Sequence, residues 1–431
     1  MSDLGRDLAG LRDRLAPPEP AFARLVTYRH RRRAARLVAL GLAAVLLFGS
    51  ALFAATSQGR PKTEAVRVGP SPPARTIPGP GGTSAGGLTP PKPGRELVAV
   101  AAGGPGDVWA AGEQRYRPNT TVDHTLVEHW DGSGWIVVDT PDVGTIISMS
   151  ADAPADVWAL GTRRGNVALH WNGATWRSIG IPNVLDSELS SISALGPHDV
   201  WAAGTRSGRL VGKNTRGLAS LVEHWDGSAW HVVPTPSPGE RDTYLQGIVA
   251  ISPRDVWAAG YLQESARDRD LAFTLHWDGR HWSSVPLPQL SPTLNVLWGI
   301  GTDGAGGAWT VGHYEDTAHH LAGMIYRWTG TAWVVTPVPQ TPQWSPTAIA
   351  GSASDDVWAL GSAPTSAFAI GHWDGVRWSL VVPPFRHERW IGYGLAVASS
   401  TRAWAVGTSG VSGQTPFIEQ WDGARWRPDS P

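Results

Sequence analysis

Two short strings recur seven times along the C-terminal three quarters of this chain, and they constrain its fold more than any other feature. The first is Trp-(Ala/Thr)-x-Gly, at Trp109–Gly112, Trp158–Gly161, Trp201–Gly204, Trp257–Gly260, Trp309–Gly312, Trp358–Gly361 and Trp404–Gly407. The second is Trp-x-Gly-x-x-Trp, with tryptophan pairs 130/135, 171/176, 225/230, 277/282, 328/333, 373/378 and 421/426. Only Trp298, Trp344 and Trp390 of the 24 tryptophans fall outside the pattern. The mean period is about 49 residues, and each copy holds four short apolar segments. This is the sequence signature of a β-propeller blade.

In the copy around Trp201 the segments read as strand A over 189–195, strand B over Asp-Val-Trp-Ala-Ala-Gly, strand C over 220–227 and strand D over 230–236. Asp226-Gly227 reverses the chain between C and D. Glycine suits a positive φ there, and the preceding Asp or Asn bonds the local backbone. One copy has Thr329 at that place, and its hairpin is expected to be the least ideal. Pro141, Pro182, Pro234, Pro286, Pro337 and Pro383 near the repeat ends fit an exposed outer strand. The expected fold is all-β: a seven-bladed β-propeller of four-stranded antiparallel blades over 95–431, with one N-terminal transmembrane helix. The first copy begins at a strand A and the last ends at a strand D, so no blade is shared. The ends are then expected to meet by packing alone.

The membrane helix is expected over 36–56. Residues 37–55 form an uncharged apolar run, about 28 Å long as a helix against a hydrocarbon core of roughly 30 Å. Arg29, Arg31, Arg32, Arg33 and Arg36 precede it, which places the N-terminus in the cytoplasm and the rest outside. A cleaved signal peptide would have a shorter apolar core, and Phe53 spoils the best cleavage site. The tail over 1–35 has Leu4, Leu8, Leu11 and Leu15 at helical spacing, suited to the inner leaflet or to a cytoplasmic partner. Residues 57–94 hold nine prolines and eight glycines and read as a linker.

Composition narrows function by exclusion. With no cysteine there is no disulfide, cysteine-ligated zinc, iron–sulfur cluster or thiol nucleophile. With 36 basic against 37 acidic residues, no nucleic-acid partner held by bulk charge is expected. The sequence has no Gly-x-Ser-x-Gly elbow, His-Glu-x-x-His, phosphate loop or recognisable acid pair.

His129, His170, His224, His276 and His372 precede the strand-C tryptophan in five copies; the other two have Arg327 and Gln420. A metal ring would be broken twice, so each histidine is expected to bond its own blade's backbone. Asp107, Asp156, Asp199, Asp255 and Asp356 are expected to serve turns. Better candidates lie where the repeat does not repeat, in the long connections between strands B and C at 113–124, 205–219, 261–271 and 313–321. On a rigid scaffold such loops carry binding. The candidate ligand-binding residues are Arg115, Tyr116, Arg117, Arg206, Arg209, Lys213, Arg216, Arg267, Arg269 and Tyr314. Glu315, Asp316, His319 and His320 have metal-ligand chemistry but no metal-site spacing, and neither a metal nor a cofactor is expected. Trp298, Trp344 and Trp390 suit either a sugar-stacking channel mouth or a blade seam, the seam being favoured.

The repeats resemble the DVWAVG…HWDG…W repeats of exported, membrane-anchored actinobacterial β-propeller proteins, over about 95–431. The Trp-Asp-Gly-x-x-Trp turn is also similar to the Asp-box hairpins of sialidase-like propellers, with one residue fewer. Tail, arginine patch, helix and propeller together resemble membrane proteins linked to extracytoplasmic-function sigma factors, although the zinc-binding element of a typical zinc anti-sigma domain is missing. The expected role is non-catalytic binding or scaffolding of a protein or cell-envelope glycan on the long-loop face. A cell-wall or glycan-active hydrolase or lyase is one alternative; a signalling role beside such a sigma factor is the other.

Overall fold

Each repeat folds as one antiparallel sheet of four strands in chain order, and there are seven such sheets. The computed structural model describes residues 94–431 except 116–123, 164, 183, 185, 211–215, 240–241, 265–268, 340–343, 363–368, 382–389, 410–414 and 430–431. The expected tail, membrane helix and nearly all of the linker lie outside the described residues. Among the described residues no helix is long and apolar enough to cross a membrane.

The seven A strands, Gly94–Gly104, Ile146–Ala153, Glu188–Ala194, Asp242–Ser252, Asn295–Thr302, Ser345–Ala353 and Trp390–Ser399, each touch the next, and the last touches the first. They form the inner ring, and the D strands form the rim. The B–C connections and blade-to-blade connections therefore share one face, and the A–B and C–D turns share the other.

The apolar core lies between blades. Seven clusters of buried side chains each join two neighbouring blades, one per seam. A blade's sheet is apolar on both faces, so it is stable only when sandwiched. Six seams repeat one indole arrangement. The strand-B tryptophan of one blade meets the edge of the next blade's strand-D tryptophan. Trp109 meets Trp176 at 5.2 Å and 84°, and Trp358 meets Trp426 at 5.4 Å and 83°. The seventh seam packs Trp404 of the last blade against Trp130 and Trp135 of the first. No strand is shared there, as expected, but packing is not alone: Trp135 Nε1 donates to Asp429 Oδ2 at 3.0 Å.

Two glycine positions recur for different reasons. The glycine of the C–D turn has a φ of +88° to +93° in all seven blades. The glycine of Trp-x-x-Gly has no such φ. Strand A bulges opposite it in every blade, and a Cβ on Gly260 would lie 1.8 Å from the Tyr244 carbonyl oxygen. In the C–D turns of six blades an Asp or Asn accepts from the two amides that follow at i+2 and i+3, as Asp226 does from Ser228 and Ala229. Thr329 accepts only from Ala332 N, so its hairpin lacks one of the two bonds. Thr329→Asp should restore it and raise stability by about 0.5–1 kcal/mol, read from a urea midpoint.

Strand bounds differ from the sequence reading at the ends. Strand B of blade three runs Val200–Leu210 and strand C Arg216–Trp225. Most of the connection expected over 205–219 is thus a continued hairpin. Its backbone keeps pairing, with Arg206 opposite Ala219. Strand D ends at Val233, and Pro234 follows it. Pro286 likewise follows its outer strand directly, Pro182 and Pro337 lie two residues beyond theirs and Pro141 four, so these prolines follow the outer strand rather than lie within it; Pro383 lies outside the described residues.

Candidate functional site

The periodic residues are structural. In five blades the aspartate two residues before the strand-B tryptophan accepts the indole N–H of that tryptophan, at 2.7–3.0 Å. The same carboxylate accepts Nε2–H of the strand-C histidine, at 2.7–2.9 Å. The histidine sits directly opposite the tryptophan and stacks on it, with centroids 4.0–4.2 Å apart. Each histidine therefore bonds within its own blade, but to a carboxylate rather than to backbone. A direct cross-strand pair places the two rings face to face, and the aspartate two residues along strand B lies on the same side. Burial works against the Asp356 charge, but His372, Ser352 and Trp358 outweigh it and hold the carboxyl below its ordinary range.

Blades five and seven lose both members together. Gly307 with Arg327, and Arg402 with Gln420, stand where Asp and His stand elsewhere. The Arg327 guanidinium lies 5.8 Å above the Trp309 ring, and Trp309 Nε1 is left without a partner. Asp and His are one unit: without the carboxylate, the imidazole has nothing to donate to.

Chemistry varies at the B–C end of the inner strands. The residue after the strand-B glycine is Glu113, Thr162, Thr205, Tyr261, His313, Ser362 and Thr408 in turn. The bulged residue of strand A is Val98, Ile147, Ser190, Gln246, Trp298, Thr347 and Tyr393. In blade one Glu113 stands directly opposite Glu96. Thr145 Oγ1 donates to Glu113 Oε2 at 2.5 Å, and the Tyr393 hydroxyl bonds Glu96. Burial, and then the Glu96 charge, push the Tyr393 hydroxyl well above its ordinary value. In blade four Tyr244 stacks on Tyr261 at 4.7 Å, and Tyr261 meets Trp298 edge-on at 6.0 Å. In blade five His313 Nδ1 accepts from Trp298 Nε1 and from Ser345 Oγ, both at 3.0 Å. That fixes the ring proton on Nε2, and burial lowers the His313 pKa to about 4. This belt of differing groups at one level of a repeating scaffold is the candidate site. Glu96 and Glu113 are 17 residues apart, so only the A–B register reveals the pair.

Of the candidates named from sequence, Arg115, Arg206, Arg209, Arg216, Arg269 and Tyr314 lie on strands B and C beyond the belt, in blades one, three, four and five. Arg206 is exposed on strand B of blade three. Arg269 stands opposite Glu264 and is ion-paired to it, so its charge is engaged within its own hairpin. Tyr314 is half-buried against the apolar cluster between blades four and five. Arg115, Arg209 and Arg216 lie on described strands, but their side chains, and all of Tyr116, Arg117, Lys213 and Arg267, lie outside the described residues. Trp298 and Trp344 are buried in or beside seams, 8% and 2% exposed, which decides against a sugar-stacking role for either. Trp390 begins the last strand A, and its side chain lies outside the described residues. Glu315 pairs with His319 at 2.9 Å, and Asp316 accepts from the amides of Ala318 and His320. These four groups stabilise their own turn, and among the described residues no three such groups converge on a metal position.

No protein-family model and no curated protein matches the sequence. Solved structures share the fold. YCF48 from Cyanidioschyzon merolae is 15% identical, with a TM-score of 0.50 over 77% of this chain and 97% of its own. The β-propeller domain of the Trilobed protease from Pyrococcus furiosus, described as having an open velcro topology, is 8% identical, with a TM-score of 0.52 over 78% of this chain and 97% of its own. The acylaminoacyl peptidase of Pyrococcus horikoshii is 8% identical, with a TM-score of 0.54 over 80% of this chain and 53% of its own. At these identities the likeness extends to the fold alone.

Proposed function

We propose that this chain is a membrane-anchored, extracytoplasmic β-propeller of an exported, actinobacterial kind, and that it binds a protein or cell-envelope glycan on its B–C face without transforming it. One observation carries the binding assignment. The three tryptophans and two glycines that build the seams and the C–D turns recur in every blade, whereas the B–C face changes in hairpin length and in chemistry from blade to blade. Variable connections held on a rigid scaffold are where binding residues concentrate. The arginine-flanked apolar run over 37–55 supports the anchor and its orientation.

Protease added to intact spheroplasts should degrade the propeller while the chain stays with the membrane fraction; full protection would contradict the orientation. Full-length protein should capture its ligand from envelope fractions. Exchanging 205–219 for the short connection of blade two (162–166) should weaken capture at least about tenfold, the scale of one lost anchor residue. Capture unchanged by the exchange would remove the face from consideration.

A second reading, a glycan hydrolase or lyase, is favoured by one observation, the directly opposed Glu96 and Glu113. It requires that Glu113→Gln abolish release of product from envelope glycans while binding persists.

A further inference from the structure

Strand C carries one more position that does not repeat, two residues before its tryptophan. It is leucine in blades two and four (Leu169, Leu275) and glutamate in blades one, three and seven (Glu128, Glu223, Glu419). All three glutamates are fully buried. Alternation along the strand turns each toward the preceding blade. In blade three Glu223 shares that face with Leu221 and Trp225, which pack in the seam with blade two.

Neither carboxyl oxygen of Glu223 or of Glu419 has a hydrogen-bond partner. Glu128 differs: Arg95 Nη1 reaches one of its oxygens at 3.4 Å. A bare carboxylate between indoles is strongly disfavoured, and such a group avoids the cost by holding its proton. The groups facing Glu223 are few. Blade two presents the Asp156–His170 pair, already bonded to each other, and Arg177 opposite His170. On its own face Arg206 lies four residues beyond Ala202 along strand B, about 13 Å away. Glu419 faces the Asp356–His372 pair of blade six, and its own face carries Ala405, Phe417 and Pro428.

We propose that Glu223 and Glu419 are proton-controlled latches: the seams between blades two and three and between blades six and seven are tight while these carboxyls are protonated, and open ahead of the other seams when they ionise. Burial pushes both groups up to about 7. The unfolded value is near 4.3, so between these pH values the folded ring holds protons that the unfolded chain has released. The stabilisation is complete below about pH 4.3, falls as pH rises toward 7, and is lost above it. Burial also raises Glu128, against the pull of Arg95, so the closing seam is expected to respond less. The seam between blades three and four, with Leu275 at the equivalent place, is the internal control.

Hydrogen exchange of the full chain at pH 5.5 and 8.0, corrected for intrinsic rates, tests this. Strands B and C of blades three and seven should open about tenfold more often at pH 8.0, the equivalent of one pKa unit, while blade four does not change. Glu223→Leu and Glu419→Leu place the residue that blades two and four already use, and Glu→Gln keeps the shape; either should abolish the pH response. Equal behaviour of all three blades in the wild-type chain would overturn the proposal without any variant. So would a pH response that survives the substitutions.

Discussion

Replacing Gly260 by alanine should destabilise the ring by at least about 3 kcal/mol, among the largest effects available to a single methyl group here. The added Cβ would lie 1.8 Å from the Tyr244 carbonyl oxygen and 3.0 Å from the Leu245 Cα. Both are backbone atoms of the bulged inner strand, so no side-chain rotation relieves the clash. Strand A must move, and it is the strand that touches both neighbouring blades. Gly104→Ala is the control, because nothing lies within 4 Å of its added Cβ. Urea midpoints of the two variants should separate clearly, with Gly104→Ala close to wild type; equal midpoints would contradict the close approach.

Trp358→Ala should cost about 4–5 kcal/mol. The indole is 1% exposed and touches three rings: His372 at 4.1 Å in its own blade, and Trp421 and Trp426 of the next at 4.9 and 5.4 Å. It also donates to Asp356 at 3.0 Å. Truncation opens a cavity in the seam and takes one donor from a buried carboxylate. Trp358→Phe separates the two effects. It keeps most of the ring area and removes the N–H, so its cost should be about 1–3 kcal/mol. Thermal unfolding of the pair measures both, and a loss confined to blades six and seven in hydrogen exchange would show that the damage is local to that seam.

The architecture was legible because its cause is local. Three tryptophans and two glycines per repeat are spaced by the hairpins they build, and a positive φ at Gly227 or Gly423 belongs to the four-residue turn between paired tryptophans. The Asp–Trp–His unit was only half legible. Its members recur in the same five copies, yet which atom each histidine bonds depends on cross-strand register, such as Trp201 opposite His224. The opposed Glu96 and Glu113 were not legible, since a one-residue bulge at Val98 sets that register. The burial of the glutamates is hidden in the sequence for a similar reason. Glu223 alternates with residues that face the other seam, and neither its neighbours in sequence nor its own polarity suggests burial. The B–C connections have the polar composition of loops, yet polar residues at a hairpin end continue a strand as long as the partner strand is present.

Closure of the ring is the claim on which the seams, the face and the latches all depend. Hydrogen exchange of the full chain compares the strand-A amides of the first blade (Gly94–Gly104) and of the last (Trp390–Ser399) with those of blade four (Asp242–Ser252). At pH 5.5, where the Glu419 carboxyl holds its proton, a ring sealed by Trp404 with Trp130 and Trp135, and by Trp135 bonded to Asp429, predicts the same protection at all three. An open array whose terminal repeats fray would exchange at the first and last blades at least about a hundredfold faster than at blade four, and would contradict it.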